Sequence, residues 1–410
     1  MLGGTWRRGR MCPWRRSGRT LGRVFAPHLP RRSVLLGLLA APLTVAACSK
    51  DQPKPGGPTT TSATTATTAA PPVQVTGAGL PADLLGTMTA LYLGGKVPAG
   101  GAVAAALAKR KSLTAPPKVA GSVGKWKGVP IAVVASGSDL TLLVKGKSWS
   151  VVGGWWPSLG VATSPVATMR VLAIGSDARP NQKVASQRSD SLHIIGVDSK
   201  GVGGIVGIPR DSWVPLASGG TNKINAALPF GGPKNVVKTV SRTSGVQLDG
   251  YLMTGFKGFR AMINAVGGLR YVAPAVFKGE HGILAKKGLN ILRGEPALSF
   301  ARERHTLKNG DFGRSQNQGR LMLAGMSMAR AGGPKALVKY LGAMSPHVET
   351  DLSTEQVLNL GASVFRASPN TVKNVVVPGG VGTRSGQSVV LLGSGALSIF
   401  RDMRNGRLGA

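Results

Sequence analysis

The segment Val171-Leu172-Ala173-Ile174-Gly175-Ser176-Asp177-Ala178-Arg179 joins a short apolar run to a polar loop that carries a carboxylate and a guanidinium group. Four apolar residues in a row, followed by glycine and serine, predict a buried strand. Loops at strand ends often hold the functional groups of α/β proteins. Asp177 and Arg179 are therefore the first candidate functional residues.

Similar apolar runs recur along the chain and alternate with helical patterns. Further strands are predicted at 192–197, 204–208, 252–254, 269–272, 372–377 and 389–392. Helices are predicted at 233–240, 256–266, 318–330 and 336–344, and a further helix after Ser353, which forms a capping-box pattern with Gln356. The alternation predicts an α/β fold, a sandwich in which helices cover a central mixed sheet.

Acidic and basic residues lie together at three predicted strand boundaries. These groups are Asp177 with Arg179, Arg188 with Asp190, and Arg210 with Asp211. The chain has only 16 acidic residues, so three such groups at successive strand ends are informative. Each aspartate alone is more typical of a turn cap or of a pair with its neighbouring arginine. The full set favours metal-assisted phosphoryl transfer, because carboxylates hold Mg²⁺ and guanidinium groups neutralise phosphate charge.

A second basic group lies further along the chain. It consists of Arg302, Arg304 and Arg314, with Gln318 close behind. The guanidinium fork matches phosphate oxygens pairwise, so this group suits a pyrophosphate. Read alone, such a cluster is more typical of a solvated basic face beside a helix. We expect the whole site, with these arginines and Arg210, to lie on a rim rather than in a core, so that its arginines contribute little stability.

Composition and charge limit the classes of function. Lys and Arg outnumber Asp and Glu by 51 to 16, a net charge of +35, which favours nucleic acid, anionic lipid or a polyanionic wall polymer as partner. The sequence has no Gly-rich phosphate loop of the Gly-x-x-x-x-Gly-Lys-Ser/Thr pattern and no visible Ser-His-Asp arrangement, and His193 and His305 are isolated. Cys12 and Cys48 are the two cysteines. Lipidation of Cys48 would exclude disulfides, cysteine zinc sites and thiol catalysis.

The N-terminal region has the pattern of an export signal. Residues 1–47 combine a basic start with an apolar run at 34–47, which is shorter than the roughly 20 residues of a membrane span. Arg31-Arg32-Ser33-Val34-Leu35 resembles a twin-arginine motif, and Val45-Ala46-Ala47-Cys48 resembles a lipobox, in which the cysteine is lipidated. An uncleaved anchor helix is the alternative. Both interpretations place the body of the protein on the extracytoplasmic face of the cell membrane.

Two segments separate the signal from the predicted sandwich at 166–410. Residues 48–79 are a linker rich in Pro, Thr and Ala, which cannot build a core. Residues 80–165 predict a small α+β accessory module with a hairpin turn at 136–139 and no acid/base or metal constellation. Its tryptophans, Trp149, Trp155 and Trp156, are more typical of packing residues than of a sugar-stacking surface.

Residues 170–330 resemble the catalytic domain of the LytR-CpsA-Psr (LCP) family of cell-wall ligases. The matching segments are Gly175-Ser176-Asp177-Ala178-Arg179, Arg188-Ser189-Asp190-Ser191, Ile208-Pro209-Arg210-Asp211, Lys223-Ile224-Asn225-Ala226-Ala227, Ala265-Val266-Gly267-Gly268, Ala297-Leu298-Ser299-Phe300-Ala301-Arg302-Glu303-Arg304 and Asp311-Phe312-Gly313-Arg314. They occur in family order. Each segment is weak alone, but together they are highly specific.

The resemblance implies an LCP-type α-β-α sandwich that transfers a glycopolymer from a polyprenyl-pyrophosphate carrier to peptidoglycan. It implies that Asp177 and Asp190 hold Mg²⁺, with Mn²⁺ as the alternative. The residues implied to bind the pyrophosphate are Arg188, Arg210, Arg302, Arg304, Arg314 and Gln318, of which Arg210 and Arg302 are also counted as catalytic. Asp211 is the candidate for activating the acceptor hydroxyl. The prenyl tail would enter an apolar pocket between sheet and helices.

Two departures from the family pattern and two competing functions accompany this interpretation. Many relatives have an N-terminal transmembrane helix where this chain has a lipobox-like signal, and many have an arginine where this chain has Asn317. That change leaves the pyrophosphate-binding set with one positive charge fewer, or makes Asn317 a neutral hydrogen-bond donor to the ligand.

The sequence leaves two alternative functions open. A non-catalytic wall-polymer-binding lipoprotein is one alternative, and an envelope-related regulator of the transcriptional-attenuator type is the other. The sequence has no helix-turn-helix pattern with a basic recognition helix, so nucleic acid is not expected as a partner.

Overall fold

The computed structural model describes residues 74–198, 201–367, 371–404 and 408, which all belong to one compact unit. The predicted signal peptide, the lipidation of Cys48 and most of the predicted linker lie outside the described residues. No helix in the described part of the chain is both long and apolar enough to cross a bilayer.

Eight α-helices are found in the described ranges. They are α1 Ala82–Leu93, α2 Gly101–Ala108, α3 Ala227–Ser244, α4 Phe256–Ala265, α5 Gly294–Arg302, α6 Gly310–Met344, α7 Thr354–Arg366 and α8 Ser394–Arg404. The predicted capping box is confirmed at the start of α7, where the Ser353 side chain accepts from the Gln356 backbone and the Gln356 side chain accepts from the Ser353 backbone.

The strands of the described chain form one large sheet, one four-stranded sheet and four two-stranded ribbons. The strands are β1 Ala120–Trp126, β2 Val129–Ser136, β3 Asp139–Lys145, β4 Trp149–Trp155, β5 Arg170–Ser176, β6 Ser189–Val197, β7 Gly203–Gly207, β8 Trp213–Pro215, β9 Thr221–Lys223, β10 Gly250–Thr254, β11 Leu269–Ala273, β12 Phe277–Gly279, β13 Gly282–Ala285, β14 Gly288–Leu292, β15 Glu349–Thr350, β16 Val372–Val376, β17 Gly379–Arg384 and β18 Gln387–Leu392.

The large central sheet has the order β15-β10-β5-β6-β7-β16. Strand β6 is antiparallel to both of its neighbours, whereas β10 is parallel to β5 and β16 is parallel to β7. The predicted mixed sheet is therefore confirmed. Because of these directions, the ends of β5, β7, β10 and β16 and the start of β6 all lie along one edge of the sheet.

Helices cover both faces of the central sheet. On one face, Leu172 and Ile194 share a core with Val236 of α3 and Phe400 of α8. On the other face, Val171 shares a core with residues of α6 and α7. Adjacent residues of β5 thus point to opposite cores, as the alternation of side chains along a strand requires.

The four-stranded sheet β1-β2-β3-β4 lies between α6 and α7 on one side and α1 and α2 on the other. Ile131 and Val133 belong to the core that contains Leu337 and Leu358, while Ala132 and Val134 pack with Leu84 and Leu91 of α1. The predicted hairpin between β2 and β3 is confirmed. Its sheet shares a core with the helices of the central sandwich, and the domain boundary at 165 stays a prediction.

The tryptophans of this region are mainly packing residues, as predicted. Trp149 and Trp156 are buried, and the Trp156 Nε1–H donates to Thr141 Oγ1 at 2.8 Å. Trp155 is half-buried, and the Arg366 guanidinium lies 5.8 Å from its ring centroid. This arrangement favours packing over sugar stacking.

Two glycine-centred breaks adjust the predicted helices. The helices predicted at 318–330 and 336–344 belong to α6, which is interrupted at Gly333, where φ is 64°. Helix α3 begins before the predicted start at 233, but its backbone is non-helical at Gly231 and Gly232. Both breaks stand directly before a proline, which cannot continue the hydrogen-bond ladder of the preceding turn. The strand predicted at 269–272 is confirmed as β11, which pairs with β14 in a ribbon outside the central sheet.

Candidate active site

The strand topology brings the three predicted Asp/Arg groups to one edge of the central sheet. Asp177 follows the end of β5, Asp190 is the second residue of β6, and Arg210 follows the end of β7. Strand β6 is antiparallel to β5 and β7, so its start lies beside their ends. Groups separated by up to 33 positions in sequence are thereby neighbours in space.

The loop that carries Arg210 is fixed by hydrogen bonds to its backbone. The Ser212 backbone N–H donates to Pro209 O at 3.0 Å, and the Asn225 N–H donates to Arg210 O at 3.2 Å. Arg210 therefore has a defined direction, in which its Nη1 donates to Asp190 Oδ2 at 2.5 Å. Its Nε lies 3.5 Å from Asp311 Oδ1 and 3.9 Å from Asp211 Oδ2.

The first turns of α6 supply a second guanidinium to the same carboxylate. Arg314 Nη1 lies 4.0 Å from Asp190 Oδ2, and Arg314 Nη2 is ion-paired with Asp311. His193 of β6 holds this end of the helix on the sheet, since its Nε2 lies 3.1 Å from Ser315 O. A Cβ at Gly207 would lie 2.4 Å from Ser315 Oγ, so the close approach of α6 to β7 requires a glycine there.

Arg302 and Arg304 differ from these two arginines. Both are exposed, and neither is ion-paired with a carboxylate in the described part of the chain. The Arg302 guanidinium stacks over Phe256 at 4.8 Å from the ring centroid. Gln318 donates from Nε2 to Ala301 O at 3.1 Å, which ties α6 to the end of α5. The two exposed guanidinium groups are free to bind an anion.

A cavity of about 1000 Å³ extends from these residues between the sheet and the helices. Asp190, Arg210, Arg302, Arg304, Arg314 and Gln318 all belong to its lining. Along α6 the lining continues through residues at helical spacing, which are Leu321, Met322, Gly325, Met326 and Ala329. At 1.5 Å per residue, the distance from Arg314 to Ala329 is about 22 Å. The cavity thus has a charged end and a long apolar interior.

Burial sets the protonation behaviour of the charged groups. Burial, and then the negative charge of Asp190, raise the pKa of Asp177. Burial also raises the pKa of Asp311, against the opposing effect of Arg314 and Arg210. Burial lowers the pKa of Arg314, and Asp311 offsets part of that effect. The charges therefore stabilise one another in a poorly solvated cluster.

The donor set fits a divalent cation that is shared with a ligand. Asp177 Oδ1 and Asp190 Oδ1 are buried and have no hydrogen-bond partner among the described residues. Burial first, and then repulsion between the two carboxylates, raise the pKa of Asp177. Within the described ranges no group of three or more His, Cys, Asp or Glu residues is placed to hold a metal. Two carboxylates with phosphate oxygens and water are a usual magnesium environment.

The structure separates the predicted site residues into those that line the cavity and those that do not. Arg188 is exposed outside the lining, and its backbone oxygen accepts from the Asp177 N–H at 3.0 Å. Asp177 and Asp211 also lie outside the lining. Asp211 Oδ1 lies 3.1 Å from Lys223 Nζ. The expected rim position is wrong for Arg210 and Arg314, whose side chains are only 18% and 7% exposed, because both are packed between carboxylates.

Sequence reasoning missed three contributors to the site. Asp311 pairs with Arg314 and lies close to Arg210, although the sequence showed it only as part of a quoted motif. Lys223 holds Asp211, and Phe256 holds Arg302. The signal for Asp311 was its i,i+3 spacing from Arg314. Asn317 does not reach the cavity, since its Oδ1 accepts from Arg320 Nη1 at 2.6 Å.

The fold and the site define an α/β protein with a carboxylate–guanidinium cluster at one end of an elongated apolar cavity. Comparison with known proteins agrees with that class. The sequence profile of the LytR_cpsA_psr family matches residues 160–401, more than half of the chain. The protein belongs to this family.

Two curated relatives and one solved structure illustrate the similarity. Polyisoprenyl-teichoic acid–peptidoglycan teichoic acid transferase TagU of Bacillus cereus is 31% identical over 224 residues, which cover 53% of this chain and 71% of that protein. The transferase TagV of Bacillus subtilis, which carries the same description, is 36% identical over 184 residues, covering 42% of this chain and 47% of TagV. A crystal structure of a Streptococcus agalactiae protein is 20% identical with a TM-score of 0.51, covering 60% of this chain and 90% of that one. The last comparison shows the fold alone.

Proposed function

We propose that the protein is a phosphotransferase that moves a glycopolymer from a polyprenyl-pyrophosphate carrier to peptidoglycan. Its curated relatives TagU and TagV are described as transferases that move a polyisoprenyl-linked teichoic acid to peptidoglycan. The observation that carries the proposal is that five charged residues of the predicted site line one cavity whose interior is apolar. A lipid-linked diphosphate has the same two parts, a polyanionic head and a long hydrocarbon tail.

The cavity suits the tail of such a carrier. The lining along α6 and α7 includes Leu321, Met326, Leu341 and Leu360. Along α6, the lining residues that follow Gln318 in sequence are all uncharged. Each CH₂ group removed from water contributes roughly 0.8 kcal/mol, so a prenyl chain of even a few units would be held firmly. The path of about 22 Å along α6 from Arg314 to Ala329 has room for several such units.

The charged end suits the diphosphate. Arg302 and Arg304 line the cavity, are exposed and have no ion-pair partner among the described residues, whereas Arg210 and Arg314 are held in place by Asp190 and Asp311. A fixed guanidinium needs little rearrangement when charge develops on the phosphoryl oxygens. In this arrangement the exposed pair binds the head group, and Arg302 acts together with the buried pair to stabilise the transition state.

The proposed reaction is a single displacement at phosphorus. A hydroxyl oxygen of peptidoglycan attacks the phosphorus that carries the glycopolymer, and the bond between this phosphorus and the bridging oxygen breaks. The products are a phosphodiester and polyprenyl phosphate, which keeps the bond electrons on its oxygen. The hydroxyl proton passes to a site carboxylate, for which Asp211 stays the predicted candidate. The ion pair with Lys223, in which Asp211 Oδ1 lies 3.1 Å from Lys223 Nζ, holds the Asp211 carboxylate in a defined direction.

Asp177 and Asp190 are proposed to hold Mg²⁺, or Mn²⁺ in its place. The cation would neutralise charge on the diphosphate oxygens. The unpartnered oxygens of both carboxylates support this assignment.

We further propose that lipidated Cys48 anchors the protein at the extracytoplasmic face of the membrane. The peptidoglycan acceptor and the lipid carrier both meet the enzyme there.

The test is to purify the full chain, extract bound lipid and identify it by mass spectrometry. We expect a polyprenyl phosphate or pyrophosphate. Gly325 lies in the cavity lining with no atom closer than 3.9 Å to an added Cβ, so Gly325→Phe should fill the cavity and release the lipid. Gly342→Phe is the matched control, because Gly342 is exposed on the same helix. Absence of prenyl lipid from the wild type, or equal lipid in both variants, would contradict the proposal.

A further inference from the structure

Residues 269–292 form a nested ribbon in which the hairpin β12–β13 is inserted between the paired strands β11 and β14. One face of this ribbon packs on the protein. Leu269, Tyr271 and Leu292 belong to a core that includes Phe300 of α5, and the Tyr271 and Phe300 ring centroids are 5.2 Å apart. The ribbon is therefore anchored to the helix that carries Arg302.

The opposite face of the ribbon is aliphatic where polar residues are the norm. An antiparallel ribbon with one solvated face ordinarily alternates apolar residues inward with polar residues outward. Of the nine exposed large hydrophobic residues among the described ones, five belong to this ribbon. They are Val272 at 69% exposure, Val276 at 50%, Ile283 at 59%, Leu289 at 55% and Ile291 at 52%.

The pairing register places three of these residues, Val272, Leu289 and Ile291, in one continuous patch. Val272 lies directly opposite Leu289, and Ile291 is the next residue of β14 on the same face. Asn290 stiffens the turn beneath the patch, because its Nδ2 donates to Lys286 O at 2.7 Å and its Oδ1 accepts from the Lys286 N–H at 3.0 Å. Exposed aliphatic groups of this number on an ordered element usually mark a contact surface.

Charge around the patch favours one kind of partner. Segment 269–293 contains five basic residues and one acidic residue; the basic ones are Arg270, Lys278, Lys286, Lys287 and Arg293. Aliphatic side chains bordered by lysine and arginine are the usual composition of a surface that enters the headgroup region of an anionic membrane. A protein partner would be expected to meet more aromatic residues at the centre of the patch.

The same ribbon reaches the cavity through its β12–β13 hairpin. Ile283 is 59% exposed and also belongs to the cavity lining, together with its neighbours His281, Gly282 and Leu284. The hairpin tip is tied to the basic cluster through Glu303, whose Oε2 accepts from the Glu280 N–H at 3.0 Å. A bilayer in contact with the ribbon would thus lie at the opening that leads to Arg302 and Arg304.

We propose that the aliphatic face of the 269–292 ribbon inserts into the headgroup region of an anionic lipid bilayer and sets the cavity mouth at its surface. A lipid-linked substrate then moves from bilayer to cavity with little exposure of its tail to water. The inference deepens the proposed function, since it states how the carrier reaches the site. Membrane contact of the ribbon is measurable without turnover, so the two proposals fail separately.

The direct test places an environment-sensitive fluorophore on the ribbon. In a full chain with Cys12→Ala and Cys48→Ala, Leu289→Cys is labelled and mixed with vesicles of phosphatidylglycerol and phosphatidylcholine. Val381→Cys is the matched control, because Val381 is 76% exposed on the β17–β18 ribbon. We expect a blue shift and quenching by doxyl-labelled lipid at position 289 only. An unchanged signal at 289, or equal signals at both positions, would overturn the proposal.

A second measurement tests the consequence for substrate delivery. The triple variant Val272→Ser, Leu289→Ser and Ile291→Ser should bind vesicles about tenfold less tightly, because three half-exposed aliphatic groups no longer insert. It should lose transfer from a vesicle-bound carrier and keep transfer from a water-soluble short-chain carrier, whereas Val381→Ser keeps both. Equal loss with both carriers would overturn the proposal. So would a wild-type dimer in sedimentation that the triple variant abolishes, since the patch would then be a subunit interface.

Discussion

Arg210 Nη1 lies 2.5 Å from Asp190 Oδ2, so the loop after β7 and the start of β6 are joined by a largely buried ion pair. The same carboxylate oxygen lies 4.0 Å from Arg314 Nη1 at the start of α6. Three elements of the fold therefore meet at Asp190, and the pair makes Arg210 a structural residue as well as part of the cavity lining.

Arg210→Lys should impair both transfer and stability. A lysine keeps the charge but has a single ammonium group, whereas the guanidinium contacts Asp190 through Nη1 and Asp311 through Nε at the same time. The variant therefore loses one of these two contacts. We expect a loss of about 10²-fold in transfer rate and of about 1–3 kcal/mol in the free energy of unfolding. Transfer assays and urea denaturation measure the two effects. Arg260→Lys, at an exposed pair with Glu295, is the control and should change neither.

Arg302→Ala should impair transfer without destabilising the protein. Arg302 is exposed and has no carboxylate partner among the described residues, so its removal leaves no buried charge. We expect KM for the carrier to rise and kcat to fall, so that kcat/KM decreases by about 10²-fold. The unfolding midpoint should not change. Arg242→Ala, at an exposed position of α3, serves as the matched control. Wall linkage as efficient as that of the wild type would favour a polymer-binding protein without catalysis.

Asp190→Asn should remove the metal dependence of turnover. The amide keeps the shape of the side chain but loses the charge that is proposed to hold Mg²⁺ with Asp177. We expect transfer to fall to background at all Mg²⁺ concentrations, and chelation of the wild type to give the same result. Circular dichroism checks that the variant folds, and Asp83→Asn, at an exposed pair with Lys145, is the control. Persistent metal dependence in Asp190→Asn would show that the ligand assignment is incorrect.

Asp311→Asn should show that this residue holds the arginines in place. Asp311 pairs with Arg314, whose side chain is only 7% exposed, so the amide leaves that guanidinium poorly compensated. We expect the free energy of unfolding to fall by about 1–3 kcal/mol. Guanidinium chloride denaturation measures it. Glu295→Gln, which removes the acidic partner of an exposed pair, should have little effect. Similar curves for the two variants would rule out this structural role.

His193 should make the protein less stable in acid. Burial lowers the pKa of His193 to about 4, from its ordinary value of 6.5. Between these values the unfolded chain binds the additional proton, so stability falls as the pH drops from 6.5 toward 4, by about 3 kcal/mol over the window. His193→Gln, whose amide can donate to Ser315 O, should flatten this slope in denaturation series at several pH values. His281→Gln, at an exposed histidine, should leave it unchanged.

The sequence predicted the strand-and-helix order and most of the charged site because both depend on local patterns. The apolar run at 171–174 and the capping residues Ser353 and Gln356 are signals within a few positions of one another, and the structure confirms both. The Asp/Arg groups were recognisable because they flank strands. The sequence did not show that β11 leaves the central sheet or that Asp311 faces Arg210, since both depend on which distant elements pair.

Burial was the least predictable property of the site. Arg210 and Arg314 were expected on a rim with Arg302 and Arg304, because all four have the same residue type and similar neighbours in sequence. The structure packs the first two between carboxylates and leaves the second two exposed. That difference depends on the position of the α6 start, which is fixed by His193 and by the absence of a side chain at Gly207.

The amino-acid sequence by itself determined the kinds of groups in the site and their order along the chain, since residue type fixes charge, donor geometry and local backbone preference. Only the tertiary structure decided which of those groups share one cavity, which arginines are compensated, and which face of the 269–292 ribbon remains apolar and exposed. The physical reason is that ion pairing, desolvation and cavity shape depend on distances between elements far apart in the chain, which local preferences do not set.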